Sequence, residues 1–583
     1  MTTETFNRSL VDPAKPVLGE GVSEGRVDGG LDGSQKSSLM AARSRVSFLM
    51  AGFVALNAVF AGKLLYLGSE KGFQAPKPIA PIVAEAGPIV AEKKFSRKDI
   101  LDRNGEILAT SLEVQSLGVN RSKVKDPDLL AEQVVAIIPE MDLARLRQKL
   151  SRKAGFIRLH QKLTPKQAYA INALGNPALR LDSREERIYP QGRLGAHVLG
   201  FVNVDGDGLA GIEHFMNERL SNGKVDDESS VKLSIDMNVQ HALTNELSEA
   251  KNAFRALGAA GLIMDVSTGE MLALASLPDY DPNVGSKATG EERRNRATKS
   301  LYELGSTMKT FTFAAAFEDG LISMNDRFDA TKPIRVDGFT INDDHPKARV
   351  LSVPEVFIYS SNIGTSKIAD LIGSDKQKAF LDKLGLLDRA SLELTEVSRP
   401  LLPQRWSDAT RATVSYGHGI SLSPLHLVGS ISAMINGGVL HQPTLLKTSE
   451  FVAGKRVISR ETSEKMRQLM RLTVKTGTGK NANAKGYRVA GKTGTARKVI
   501  KGQYSRKHTV SSFVAAFPID DPKYVVFVLL DEPKGYLNSG GMAAAPVVQH
   551  VVRRIAPILN VAPMKEDVSP YQRLSYLIEK EGK

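Results

Sequence analysis

Three short triplets carry the chemistry this sequence can do. In "ELGSTMKTFTF", Ser306 and Lys309 stand three residues apart, and a helical pattern begins at the serine. That spacing puts hydroxyl and amine on one face. A lysine whose charged form is disfavoured by burial or neighbouring charge can take the proton of a nearby serine and make it a nucleophile. A helix start also offers backbone N–H groups without intrahelical partners, suited to a developing oxyanion. In "YSSNIG", Ser360, Ser361 and Asn362 fall in a turn-like stretch between helical segments. The tetrapeptide Lys-Thr-Gly-Thr occurs twice, at 475–478 and 492–495.

The two copies differ in context. The first follows "SEKMRQLMRLTV", an amphipathic helical pattern, and reads as a helix end. Its "GTGK" is no phosphate loop, because Val474 and Asn481 stand where that motif needs Gly and Ser or Thr. The second follows "GYRVAG", where Tyr487 and Val489 alternate with Arg488 as on a half-buried strand. Gly491 and Gly494 flank it and are expected to let a ligand backbone approach closely. Lys492, Thr493, Gly494 and Thr495 are therefore the copy expected to work with Ser306, Lys309, Ser360 and Asn362.

Several other stretches are read as inert. "GDGLAG" (206–211) fits a dinucleotide fingerprint but lacks the βαβ frame that such a site needs. "NDDHP" (342–346) is expected to be a solvated turn, since adjacent residues rarely converge on one ion. Ten histidines include no His-Glu-x-x-His, so zinc hydrolysis has no support. The Asp226-Asp227-Glu228 run reads as a solvated linker.

The elements that must position the triplets emerge from patterning. The 583 residues leave room for two to four domains, and 42% are hydrophobic. The net charge of +14 is spread along the chain, which favours an anionic neighbourhood over a nucleic-acid groove. The absence of cysteine excludes disulfides, thiol nucleophiles and Cys-type zinc sites. Residues 1–45 lack apolar periodicity and read as a disordered cytoplasmic tail. Residues 46–68, "VSFLMAGFVALNAVFAGKLLYLG", are expected to cross a membrane once, with Lys36, Arg43 and Arg45 holding the N-terminus in the cytoplasm. Residues 69–94 form a Pro/Ala-rich linker in which Pro-Ile-Val-Ala-Glu occurs twice. Residues 95–225 mix short strands with helices. "AEQVVAIIPEMDLARLRQKL" is amphipathic, and "LTPKQAYAINALG" reads as a short helix. A new module starts near Val231 and runs to about 560, followed by a tail, 561–583. Its "AAGLIMDVSTGEMLALASLPDY" is a hairpin turning at "STGE". "HTVSSFVAAFP" and "KYVVFVLLDEP" are two more strands. Strands at both ends of a helical block make an α+β module: one sheet covered by helices.

Ser-x-x-Lys, Ser-x-Asn and Lys-Thr-Gly in this order are the signature of penicillin-interacting serine enzymes. Around them the chain resembles the class B penicillin-binding proteins, most of all the septal, FtsI-type peptidoglycan D,D-transpeptidases, from about residue 95 to 550. "DILDRNGEILATS", "RIYPQGRLGAHVLGFVN" and "GLAGIEHFMNERL" resemble the family's pedestal (dimerisation-type) motifs. "NRATKSLYELGSTMK", "QRWSDATRATVSYGHGISLSP" and "GGMAAAPV" resemble its transpeptidase motifs. Three positions depart from the pattern: Leu304 replaces the usual proline before Gly-Ser, and Ser423 and His426 replace the usual threonine and glutamine of Thr-Pro-x-Gln.

The resemblance implies a transmembrane helix, an elongated pedestal and a transpeptidase domain with a five-stranded antiparallel sheet flanked by helices. It implies that Ser306 attacks the penultimate D-Ala of a stem peptide with Lys309 as base. Ser360, held by Asn362 and Lys309, would relay a proton to the leaving D-Ala. The backbone N–H groups of Ser306 and Thr495 would form the oxyanion hole. Thr493 and Thr495, with Lys492 beside them and Gly494 between, would hold the substrate carboxylate. No cofactor or metal is implied. The implied partners are peptidoglycan stem peptides, β-lactams, an FtsW-type glycosyltransferase, other divisome proteins and the inner membrane, with the catalytic domain in the periplasm and no nucleic acid. An elongation-type relative, a β-lactam hydrolase and a non-catalytic divisome scaffold are the alternatives. No Glu-x-x-Leu-Asn supports the hydrolase, and the intact Ser306, Lys309, Ser360 and Lys492 argue against the scaffold.

Overall fold

The structure is a computed structural model and describes residues 50–63, 97–152, 155–221, 230–448, 453–500, 502–564 and 578. The chain divides into two units, residues 1–92 and 93–583. In the first, residues 50–63 are helical with exposed side chains, Phe53, Val54, Leu56 and Phe60 among them. The expected membrane span, 46–68, extends beyond the described residues at both ends. Among the described residues no helix is long and apolar enough to cross a membrane. The tail 1–45, the repeat-bearing linker, the acidic run at 226–228 and most of 561–583 also lie outside the described residues.

The second unit opens with a mixed sheet. Strands β1 (Asp99–Leu101) and β2 (Ile107–Asn120) pair antiparallel. Next come α1 (Pro127–Ile137) and α2 (Leu143–Leu150). The sequence between Ala131 and Leu150 reads as one amphipathic stretch. Pro139 divides it, because proline cannot continue a helix, and Asp142 starts α2 by accepting from Arg145 N at 2.6 Å. β3 (Phe156–Leu163), α3 (Pro165–Ala173) and β4 (Leu179–Ile188) complete this layer. Both β3 and β4 pair with β2. The α3 helix is the one expected from "LTPKQAYAINALG", started by a Thr164/Gln167 capping box. Val231, the expected start of a new module, lies in β5 (Ser230–Lys232), which pairs parallel with β1. The start of the second module thus adds a strand to the first sheet.

Glu213, in the former dinucleotide look-alike region, is fully buried between Arg97 Nε (2.5 Å) and Arg187 Nε (2.7 Å), with Tyr189 Oη at 3.3 Å. Gly208 and Gly211 belong to that packing. A Cβ on either would lie within 2.5 Å of backbone. Gly208 and Gly211 thus serve close chain packing.

After α4 (Met237–Ala253), the strands β6 (Gly258–Asp265) and β7 (Met271–Leu277) form the hairpin that turns at "STGE". α5 (Lys309–Glu318), α6 (Asn362–Ile372), α7 (Pro424–Ile435) and α8 (Arg460–Lys475) make the helical block. Three strands and a helix follow: β8 (Ala490–Ile500), β9 (Gln503–Phe517), β10 (Tyr524–Asp531) and α9 (Ala545–Ile558). The sheet order is β8-β9-β10-β6-β7, and every pairing is antiparallel. Successive residues along the central strands are buried in opposite cores. Val526 and Val528 face α4 and α9 in one core, whereas Phe527 and Leu529 face the helical block in the other. Apolar cover on both faces explains why β6, β7 and β10 read as nearly unbroken hydrophobic runs. Strand β8 is the sheet edge, and the second Lys-Thr-Gly-Thr lies on it.

Candidate active site

Ser306 sits in a single 3₁₀ turn, Gly305–Met308, that runs into α5. The expected α-helix starts one turn later than the sequence pattern suggests. Three residues per turn still align Ser306 with Lys309. Neighbours Met308, Phe311 and Phe313 are buried, and they carry Lys309 inward to full burial. Its Nζ donates to Asn362 Oδ1 (2.8 Å), to Ser360 Oγ (3.1 Å) and to the Ser360 carbonyl. Among the described residues no hydrogen bond joins Ser306 to Lys309.

Ser360 occupies the left-handed region at φ 61°, a strained conformation for a side chain with a Cβ. Ser361 then caps α6 by accepting from Gly364 N at 3.0 Å, which puts Asn362 in the first helical turn. Lys492 approaches from β8, also fully buried, and its Nζ lies 3.0 Å from Ser360 Oγ. One hydroxyl oxygen therefore stands between two buried amines. Burial pushes the Lys309 amine down to about 7, against the opposing pull of Asp343 and Asp344. Burial, and then the charge of Lys309, push Lys492 well below the ordinary lysine range.

"NDDHP" is exposed except at Asp343, as a solvated turn should be, but it also has a positioning role. Asp343 accepts from Ser361 Oγ (2.8 Å) and Ile363 N (2.9 Å), and the Asn342 carbonyl accepts from Asn362 Nδ2 (2.9 Å). The segment holds the Ser-x-Asn turn in place. No group of acidic or histidine side chains suited to a metal occurs among the described residues.

A cavity of about 980 Å³ opens over this cluster, lined by Ser306, Ser360, Asn362, Thr493 and Thr495. Gly494 does not line it. A Cβ there would lie 2.4 Å from Ser512 Oγ and 2.6 Å from the Leu304 carbonyl. A Cβ on Gly491 would meet Phe513 at 2.4 Å. These glycines admit the protein's own chain, not a ligand backbone as expected. Gly305 adds to the same close approach: its φ is 53°, and a Cβ would stand 2.6 Å from the Thr495 carbonyl. The Ser306 turn thus presses against the backbone of Thr495, so the two residues expected to form an oxyanion hole are neighbours.

Other participants lie outside the three triplets, although Tyr416, His418 and Gly540 fall in stretches that resemble the family's motifs. Thr478, from the first Lys-Thr-Gly-Thr copy, shares a 2.9 Å hydrogen bond with Thr493 Oγ1 and lines the cavity. The copy is a helix end, as expected, yet it also orients the working copy. Tyr487 and Arg488, expected on the strand, precede it, and Arg488 has a φ of 43° and pairs with Asp520. Gly540 N donates to Thr495 Oγ1 at 2.9 Å. Along one wall Tyr416 meets His418 at a tilt and His418 meets Tyr504 edge to face, with centroids 5.4 and 5.6 Å apart. Burial pushes the His418 imidazole down to about 4, so it is neutral at physiological pH.

Residues 259–553 match the penicillin binding protein transpeptidase domain, and 93–226 match the penicillin-binding protein dimerisation domain. The chain belongs to the penicillin-binding protein transpeptidase family. Among the family's curated members, the probable peptidoglycan D,D-transpeptidase FtsI of Caulobacter vibrioides is 39% identical over 490 residues, spanning 81% of this chain and 83% of that one. The peptidoglycan D,D-transpeptidase FtsI of Escherichia coli K12 is 30% identical over 505 residues, spanning 81% and 85%. In three dimensions, penicillin binding protein 3 of Mycobacterium tuberculosis complexed with aztreonam aligns with a TM-score of 0.64 at 26% identity, covering 81% of this chain and 99% of that one. Its complex with ampicillin aligns at 0.65. This penicillin-binding protein thus shares both the pedestal and transpeptidase parts with its relatives.

Proposed function

We propose that this chain is a septal peptidoglycan D,D-transpeptidase that cross-links stem peptides through an acyl-enzyme on Ser306. The observation that carries the reading is the pair of buried amines on Ser360 Oγ, beside a cavity that Ser306 and the β8 threonines line. With its amine near 7, Lys309 is substantially unprotonated at neutral pH and takes the Ser306 proton as Oγ attacks the carbonyl of the penultimate D-Ala. The carbonyl oxygen gathers charge under the N–H groups of Ser306 and Thr495. The bond to the terminal D-Ala breaks, and its nitrogen receives a proton through Ser360. Asn362 holds the Lys309 side of that relay, and Lys492 the other. Thr493 and Thr495 bind the carboxylate of the departing residue. An amine from a neighbouring stem peptide then attacks the ester carbon, the C–N bond forms, and Ser306 Oγ leaves with a proton.

A β-lactam acylates Ser306 by the same first step and stays. Relatives that carry the FtsI name favour the septal over the elongation role. The apolar segment 46–68 anchors the catalytic part in the periplasm, and the anchor and pedestal meet an FtsW-type glycosyltransferase and other divisome proteins. Labelling of the full chain with a fluorescent penicillin tests the chemistry: a long-lived adduct is expected, absent in Ser306→Ala. An adduct that survives that substitution sinks the assignment of the nucleophile. Rapid turnover of the label would make the chain a hydrolase.

A further inference from the structure

A second cavity, of about 650 Å³, borders the first along β8, and Ala496 and Arg497 line both. Three of its lining residues, Arg296, Glu303 and Asp531, have buried polar atoms without a hydrogen-bond partner, and of these Asp531 Oδ1 is ion-paired with Lys498 Nζ at 2.6 Å. Arg296 is 2% exposed. Its Nη2 donates to Glu291 Oε2 at 3.0 Å, but Nε and Nη1 have no acceptor, and Asp531 Oδ2 is 3.8 Å from Nε. Gly258 makes the space for this guanidinium, since a Cβ there would lie 2.2 Å from Nε. Glu303 has the opposite deficit. Its Oε1 accepts from Gly419 N (2.8 Å) and Tyr504 Oη (2.9 Å), whereas Oε2 is buried without a donor. Unused buried donors and acceptors cost free energy, so such groups persist where something else completes them. Lys299 lines the same cavity, exposed, with no ion pair among the described residues. Exposed Leu401 and Val499 supply apolar surface.

A ligand that matches these groups carries a carboxylate for Arg296 and Lys299, an N–H donor for Glu303, and short apolar stems. That is the chemistry of a peptide. We propose that this cavity binds the acceptor stem peptide of the cross-linking reaction, with a carboxylate toward Arg296 and Lys299 and an amide or ammonium toward Glu303. The inference rests on the transpeptidase reading, which requires two peptides to meet at Ser306. The first cavity holds the donor. The second adjoins it, and Glu303 stands only three residues before the nucleophile. From there the acceptor nitrogen reaches the acyl carbon of Ser306, the C–N bond forms as the ester C–O bond breaks, and the amine's proton goes to Ser306 Oγ.

The test uses the full chain in detergent with a D-Ala thioester donor and a synthetic stem tetrapeptide as acceptor, and reads the ratio of cross-linked to hydrolysed product. Penicillin labelling reports the acylation half-reaction separately. Losing one charge-assisted contact should lower the ratio about tenfold in Lys299→Glu and raise the apparent KM for the acceptor. Arg296→Lys should behave alike, because an ammonium cannot reproduce the fork. If Arg296→Lys fails to fold, Lys299→Glu, on an exposed residue, decides alone. A ratio in Lys299→Glu within twofold of the unaltered chain overturns the acceptor site. A wild-type chain that takes no penicillin label overturns the transpeptidase reading instead.

Discussion

In the proposed mechanism the state of Lys309 sets the pH dependence of acylation. With its amine pushed down to about 7, the free-base fraction is about a tenth at pH 6 and about nine tenths at pH 8. The second-order constant for acylation by a fluorescent penicillin should therefore rise nearly tenfold between those values and level off above pH 8. An ordinary lysine would keep the rate climbing to about pH 10. His418, at about 4, has already lost its charge below this window and does not confuse the limb. Asp344 offers the perturbation. Its exposed carboxylate stabilises the Lys309 ammonium and so raises its pKa against the effect of burial. At several ångströms and a near-aqueous dielectric such a charge contributes on the order of 0.5–1 kcal/mol, or about half a pH unit. Asp344→Asn should move the limb to lower pH by that amount, and acylation at pH 6 should come closer to its plateau. Rates can be followed by quenched-flow labelling of the detergent-solubilised chain from pH 5.5 to 9. A flat profile between pH 6 and 8, or a limb that moves upward in Asp344→Asn, would refute the assignment of Lys309 as the base.

Three further outcomes follow from the same coordinates. Lys309→Met should abolish labelling. A buried lysine with a lowered pKa destabilises the fold fully below about pH 7 and ceases to do so above about 10.5, so the substitution's effect on melting temperature should be more favourable at pH 6 than at pH 10. A difference that does not change with pH would contradict the burial argument. Gly494→Ala must move Leu304, on the nucleophile's turn, by about 0.8 Å to restore an ordinary contact from 2.6 Å, and misplacement on that scale should slow acylation by about 10- to 100-fold. Labelling at an undiminished rate would show that the turn is not held by that contact. Glu213→Gln removes the charge between Arg97 and Arg187 and should destabilise the unit by about 3–5 kcal/mol, read as a lower unfolding temperature; an unchanged transition would mean the cluster is already solvated.

What was legible in the sequence was local. The "STGE" hairpin, the apolar strands and the spacing of Ser306 and Lys309 are each set by residues within a few positions, where periodicity and turn chemistry act. The order of the triplets then carried the site. The supporting contacts were not legible, because their partners are brought together only by the closed sheet. Asp343 reaches Ser361 and Ile363 from a loop that reads as solvated, since nothing near it in sequence shows the helix start it serves. Thr478 was set aside with the first Lys-Thr-Gly-Thr copy. Its bond to Thr493 depends on α8 ending beside β8, a contact with no sequence period. Gly494 was legible as a close approach, but not which chain approaches.

The arrangement around Ser360 limits how many protons the site can hold. Two fully buried ammonium groups do not readily share one hydroxyl oxygen: burial lowers both lysines, and the charge of Lys309 lowers Lys492 further. When Lys309 is charged, its three N–H donors match three acceptors: the Ser360 carbonyl, Ser360 Oγ and Asn362 Oδ1. Ser360 Oγ–H is then free to point to the lone pair of a neutral Lys492. When Lys309 is neutral, one acceptor is released and a lone pair becomes available to Ser306. The hydroxyl can turn its proton toward either amine without any backbone movement. In the proposed reaction a proton taken from Ser306 therefore has a short path to the leaving nitrogen, and the same path, run backward, returns one to Ser306 Oγ when the cross-link forms. The strained φ of Ser360 and the contacts of Asp343 and Asn342 matter because they hold the oxygen about 3 Å from both amines, the separation at which that exchange works.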